Sequence, residues 1–256
     1  FFTETAWFAD VIFPASAQPE KTGTYTNSNR QVQIGFPVRK TPGDAKQDWK
    51  LIVELANKCE LKWKYNSISS VYKEMASTMS SLNNITWERL EKDGAVCYPV
   101  DDEKSFGNEI LFSDGFPTTN GKARVVPSDL VPPDDVPNKK YPFILTTGRL
   151  LEHWHTGAMT RRSAMLEAQE PTPTVSMNPN DIRKLGLKRG EKVMVETKRG
   201  IIEILLREDR DISKGMLFIP FCFTESPANK LTNPNLDPFG KIPEFKYTAA
   251  RIYKAN

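Results

Sequence analysis

The 256 residues carry 35 Lys and Arg against 32 Asp and Glu, a net charge of +3, and 39% of them are hydrophobic. That apolar share supports a packed core and excludes wholesale disorder. So small a charge, without a basic run of five, excludes an electrostatic nucleic-acid surface.

No stretch approaches the ~18 apolar residues that a membrane span requires. Cys59, Cys97 and Cys222 are scattered and odd in number, which excludes a disulfide framework and a self-contained zinc or iron–sulfur cluster. A composition of this kind is that of a reduced, cytoplasmic protein. The chain opens Phe1-Phe2-Thr3, without Met, and reads as a fragment whose targeting signal, if any, lies upstream.

In chain order, residues 1–126 read as a mixed, mostly helical part. Asp10-Val11-Ile12-Phe13-Pro14 predicts a short buried strand ending in a turn. Pro19-Glu20-Lys21-Thr22-Gly23-Thr24-Tyr25-Thr26-Asn27 predicts a turn or loop. Trp49, Ile52, Val53, Leu55 and Ala56 have helical spacing behind a cap at or near Asp44. A second amphipathic helix follows over 69–79, and Thr86 caps a third, short one that stops at Gly94. Pro127, Pro132, Pro133, Pro137 and Pro142 then punctuate a polar stretch that sustains neither helix nor interior strand, and 127–142 reads as a linker.

The pattern changes period over 143–256. Residues 143–147, 192–197, 201–206, 216–221 and 246–253 are rich in β-branched and aromatic residues, with turns at Arg189-Gly190 and Arg199-Gly200. Asn178-Pro179 opens a short helix that Gly186 closes. Strands outweigh helix here, and the expectation is a compact β-barrel.

The densest chemical cluster follows the first of these strands: Thr146-Thr147-Gly148-Arg149-Leu150-Leu151-Glu152-His153-Trp154-His155-Thr156-Gly157. It contains both histidines of the chain. In extended backbone, His153 and His155 share a face and could pair on a metal, but no third ligand is near. Alternatively the loop binds an anionic, hydrogen-bonding ligand. Its glycines would let backbone N–H groups approach, Arg149 would offer a planar fork, the threonines hydroxyls, and Trp154 a flat face. The plainest alternative is a solvated loop with one buried Trp. Asn229 follows an apolar strand and could read an amide edge or simply form an Asx turn. Lys246 begins the last strand, where it could meet a phosphate or merely solubilise an edge. No nucleophile–base pair, Walker loop or dinucleotide fingerprint is recognisable.

Residues 146–157 resemble the guanine-dinucleotide-binding stretch of molybdopterin oxidoreductases of the dimethyl-sulfoxide-reductase superfamily. Ala9-Asp10-Val11-Ile12-Phe13-Pro14, Glu20-Lys21-Thr22-Gly23, Thr26-Asn27, Asn229-Lys230-Leu231-Thr232-Asn233 and Leu236-Asp237-Pro238 resemble further segments of the same superfamily, in order along the chain. Thr86-Trp87-Glu88-Arg89-Leu90, Pro220-Phe221-Cys222-Phe223 and Lys241-Ile242-Pro243-Glu244-Phe245-Lys246 look most like the catalytic α subunit of molybdenum- or tungsten-dependent formate dehydrogenases. Nitrate reductases share the His-Trp-His stretch.

The resemblance implies an α+β or α/β chain: the tail of an α/β region over 1–126, then a double-psi-type barrel over 143–256. It also implies a Mo or W bis-molybdopterin guanine dinucleotide. Its contacts would be Lys21 and Asp48 from the first part, and Thr147, Gly148, Arg149, Leu150, Leu151, Glu152, His153, Trp154, His155, Thr156, Phe221, Asn229 and Lys246 from the second. The full enzyme would oxidise formate to carbon dioxide by hydride transfer. Electrons would pass to a 4Fe-4S cluster upstream and on to electron-transfer subunits using NAD or flavin. The family's cluster cysteines, Cys or selenocysteine metal ligand, active-site His and substrate-orienting Arg have no counterpart here, so no catalytic or metal-ligating residue is expected in this chain. A stand-alone β-barrel binding module without redox chemistry is the alternative from another class.

Overall fold

The computed structural model describes residues 1–255, which divide into two compact units, Phe2–Pro127 and the chain from Ser128 onward together with Phe1. In the first unit, strands β1 (Gly23–Thr26), β2 (Gln31–Gly35) and β3 (Ala95–Cys97) form an antiparallel sheet in that order. Three helices accompany it: α1 (Asp48–Lys58), α2 (Ile68–Ser77) and α3 (Trp87–Asp93). The Ser67 hydroxyl accepts from the Ser70 N–H, and the Thr86 hydroxyl from the Arg89 N–H, each at 3.1 Å. These satisfy amides that a helix start leaves orphaned. Val32, Tyr72, Leu82, Ile85, Leu90 and Val96 make the core.

Three expectations for this unit need correction. Residues 10–14 form no strand, and Val11, Ile12 and Phe13 are exposed. The only ladder partner nearby is Lys46, which forms an isolated bridge to Ala15. Residues 23–26, expected in a loop, are strand β1, because the Asn27 side chain closes a tight hairpin by accepting the Gln31 N–H at 3.0 Å. Helix α1 begins after Gln47 without a side-chain cap, so Asp44 plays no capping part.

The second unit is a closed barrel of β4 (Phe143–Gly148), β5 (Thr174–Met177), β6 (Lys192–Glu196), β7 (Ile201–Glu208), β8 (Met216–Pro220) and β9 (Thr248–Lys254), in the order β4-β8-β5-β7-β6-β9. Pairs β4/β8 and β5/β7 are parallel, and the rest antiparallel. Leu145, Val175, Met177, Val193, Val195, Ile204, Leu217, Ile219 and Ala250 fill the interior at the two-residue period of inward-facing strand positions. Helix α4 (Ala164–Gln169) precedes β5, and α5 (Pro179–Lys184) follows it. The Asn178 carboxamide caps α5 through the Asn180 N–H at 3.0 Å.

The registers decide where the loops meet. Gly148 lies opposite Pro220, Ser176 opposite Phe218, Glu196 opposite Ile201, and Leu145 opposite Thr248. The C-terminal ends of β4, β6 and β8 and the N-terminal ends of β5, β7 and β9 therefore share one end of the barrel, the mouth.

The proline-rich stretch forms no regular element, as its prolines require, but from Ser128 it belongs to the barrel unit rather than spanning free. Asp135 is 1% exposed. It accepts from Lys198 Nζ at 2.9 Å, from Arg199 and from the Ala249 N–H at 3.2 Å. Asn235 adds a bond to the Asp134 carboxylate at 2.8 Å.

Candidate functional site

The mouth carries every cofactor-contact candidate of the barrel unit. Thr147 sits at the end of β4, and its hydroxyl donates to the Phe245 carbonyl at 2.8 Å. Lys246 Nζ donates back to the Thr147 carbonyl at 3.1 Å, so segments a hundred residues apart are joined here. Lys246 itself lies in the turn before β9, not in the strand as expected. One bond leaves the ammonium two further N–H groups.

Gly148 admits the close packing of β4 on β8, since a Cβ there would lie 2.5 Å from the Phe218 ring. The Phe221 N–H donates to the Gly148 carbonyl at 3.2 Å, and the Phe221 ring packs on the barrel core. Asn229 is exposed in a short turn (Ala228–Lys230). Its carboxamide has no hydrogen-bond partner among the described residues, although its backbone carbonyl accepts from the Thr232 hydroxyl.

The loop 149–157 is not extended. Its Gly157 N–H closes a turn on the Trp154 carbonyl at 2.9 Å, and His155 has φ +48°. The shared face expected of the two histidines is thereby lost. His153 is 1% exposed while His155 is exposed, so they cannot pair on one metal ion. The aromatic expected to be buried is also the wrong one: Trp154 is 60% exposed. Its ring meets His155 edge-on at 4.7 Å. Arg149, Leu151 and Thr156 are likewise exposed, and Leu150 and Glu152 half-buried. The Arg149 guanidinium has neither ion pair nor hydrogen bond among the described residues.

Charge and burial explain how this loop is held. Arg161 lies across Phe223 at 4.9 Å and forks onto two carboxylates, Glu225 at 2.7 and 2.9 Å and Glu167 at 3.0 and 3.2 Å. Hydrogen bonding to Glu225, then Glu167, holds the guanidinium still further above its ordinary range, while Arg161 holds both carboxyls below theirs. Gly157, at φ +75°, packs against the Arg161 stem. Arg161, Glu167, Glu225 and Phe223 were not among the residues expected at the site. Their joint role depends on three segments meeting at the mouth.

In the first unit, Lys21 and Asp48 are brought together as an ion pair. They line a cavity of about 300 Å³ with Trp49, Tyr72 and Met75. The hydrogen bond from Lys21 is the main cause that holds the Asp48 carboxyl below its usual range.

The donor set at the mouth suits a phosphorylated heterocycle. Arg149 and Lys246 offer charge and directed N–H groups to a pyrophosphate, and the free Asn229 amide offers donor and acceptor to a purine edge. Thr248, next on the inward row of β9, holds a buried hydroxyl without a partner among the described residues. Such an atom is costly unless something satisfies it.

Comparison with known proteins places the two units in a family. Residues 143–249 match the molydopterin dinucleotide binding domain, and residues 1–58 match the molybdopterin oxidoreductase family. The F420-dependent formate dehydrogenase subunit alpha of Methanocaldococcus jannaschii is 41% identical over 98% of this chain and 38% of its own length. The assimilatory nitrate reductase catalytic subunit of Bacillus subtilis is 32% identical over 98% of this chain and 37% of its own. The chain thus spans little more than a third of the length of either relative. The acetylene hydratase of Pelobacter acetylenicus shares the fold, with a TM-score of 0.77 at 21% identity over 100% of this chain and 39% of that one. With its dinucleotide-binding barrel and its oxidoreductase region both matched, the chain belongs to the molybdopterin oxidoreductases.

Proposed function

We propose that the barrel mouth holds the guanine-dinucleotide end of a Mo or W bis-molybdopterin cofactor, and that the whole protein is the α subunit of a formate dehydrogenase. The observation that carries the reading is the convergence, at one end of the barrel, of a partly used Lys246 with an Arg149 guanidinium and an Asn229 amide that have no partner among the described residues. When bound, the metal centre supplies the two-electron step in which formate, giving up a hydride, yields carbon dioxide, a proton and two electrons. Residues of this chain bind and orient the group. Arg149 and Lys246 neutralise the pyrophosphate, Asn229 reads the guanine edge, and Trp154 with Phe221 gives the ring systems apolar walls.

A 4Fe-4S cluster held elsewhere in the whole protein would carry the electrons on toward a separate electron-transfer subunit. The F420-dependent relative of Methanocaldococcus jannaschii favours F420 as final acceptor over the NAD that the resemblance implies. Cytoplasmic placement is part of the same proposal.

The test uses the whole protein. Formate should reduce F420 or NAD, and reduced viologen with nitrate should give no turnover. Nitrate reduction without formate oxidation would instead assign the protein to the nitrate branch. Arg149→Ala, Asn229→Ala and Lys246→Ala should each lower metal and bound guanine nucleotide together. Unchanged content in all three would refute the site.

A further inference from the structure

We propose that His153, expected to touch the cofactor, is instead a positioning residue that pins the binding loop from behind. The proposal rests on reading the mouth as the dinucleotide site. The side chain of His153 is buried, and both ring nitrogens are spent within the protein. Nε2 lies 2.8 Å from the Glu170 carbonyl, which can only accept, so Nε2 carries the hydrogen. In the neutral ring Nδ1 is then an acceptor, and the Thr160 hydroxyl 3.3 Å away donates to it. The same Thr160 oxygen accepts the Trp154 N–H at 3.0 Å.

A relay therefore runs from the Trp154 amide through Thr160 and the His153 ring to the Glu170 carbonyl. It ties the loop after β4 to the segment before β5. Phe223, after β8, closes the ring's other side edge-on at 5.7 Å. Three mouth segments thus converge on one imidazole. The turn it fixes carries Arg149 on one side, and Trp154 and His155 exposed at its tip. A ligand meeting this loop would touch Arg149, Trp154 or His155, and not the ring of His153.

The experiment compares whole-protein variants made in a host that cannot synthesise molybdopterin and in one that can. In cofactor-free protein, amide exchange of the peptide 149–157 should quicken roughly tenfold in Thr160→Val and in His153→Phe. That factor corresponds to about 1.4 kcal/mol, the worth of one hydrogen bond. Exchange in β4 and β8 should not change. Thr160→Ser, which keeps the hydroxyl, should restore protection. In the loaded host, bound guanine nucleotide should fall in Thr160→Val and recover in Thr160→Ser. Arg149→Ala should lower the nucleotide without altering exchange.

Nucleotide loss in His153→Phe with unaltered exchange would overturn the proposal and make His153 a direct contact. Unaltered exchange in a folded Thr160→Val would overturn it too, and this variant serves if His153→Phe does not fold. Absence of guanine nucleotide from loaded wild type would refute the proposed function alone, since the exchange arm reads the pin without cofactor.

Discussion

Replacing Asp135 with Ala puts a heavy load on the barrel unit from outside its apolar interior. The carboxylate accepts from Lys198, Arg199 and the Ala249 N–H, and it is 1% exposed. Its removal leaves the Ala249 amide unpaired inside the barrel wall, a cost of about 1–3 kcal/mol. The two cations lose a partner as well. However, the Lys198 side chain is 53% exposed and Arg199 24% exposed, so both rehydrate and add less than a fully buried pair would. Together these give about 2–4 kcal/mol. At a urea dependence of about 2 kcal/mol per molar, the midpoint should fall by roughly 1–2 M. Asp135→Asn keeps an acceptor for Ala249 and should lose about half as much.

The pH dependence has a defined sign. Burial by itself would raise the Asp135 carboxyl, but the hydrogen bonds from Lys198 and Arg199 outweigh it and leave it below its ordinary 3.8. A carboxyl depressed in the folded state contributes fully above the unfolded value, and that contribution is lost as pH falls through the folded one. The wild-type advantage over Asp135→Ala should be complete at pH 7 and shrink below pH 4. Urea titrations followed by circular dichroism at both pH values read it. A midpoint at pH 7 indistinguishable from wild type, or a gap that widens with acid, would refute the account.

Gly157→Ala should cost about 1–2 kcal/mol from its left-handed φ alone, and more because the new Cβ meets the Arg161 stem at 2.7 Å. Thermal unfolding measures the loss. Arg161→Lys keeps the charge but not the fork that grips Glu167 and Glu225, and a drop of at least 1 kcal/mol in the same assay is expected. Burial pushes the Cys222 thiol up to about 11, so at pH 8 iodoacetamide should label exposed Cys59 and spare Cys222, as peptide mass spectrometry can show. Asp48→Asn breaks a half-exposed ion pair and should change stability by less than about 1 kcal/mol, a bound that chemical denaturation checks.

The period of the side chains was enough to place β4, β6, β7 and β8 to within a residue or two, because alternating apolar positions are what a half-buried wall requires. Local chemistry likewise made the Thr86 and Asn178 caps legible, since a hydroxyl or amide acts on backbone two or three residues away. Where the decisive partner lies far along the chain, the same reading failed. Strand β5 is a four-residue run flanked by Pro173 and Pro179 that becomes a strand only between β7 and β8. Asp135 looked like one more solvated linker acid until the β6–β7 turn and β9 closed over it. His153 and His155 differ by nothing a two-residue spacing reveals, yet the first is spent on Thr160 and Glu170 while the second faces outward. Residue types and their order determined that there is a barrel and set the densest run of polar and aromatic side chains in the loop after β4. Which atoms in that loop are free for a ligand was decided by tertiary contacts alone, because burial and hydrogen-bond satisfaction belong to the folded neighbourhood rather than to the residue.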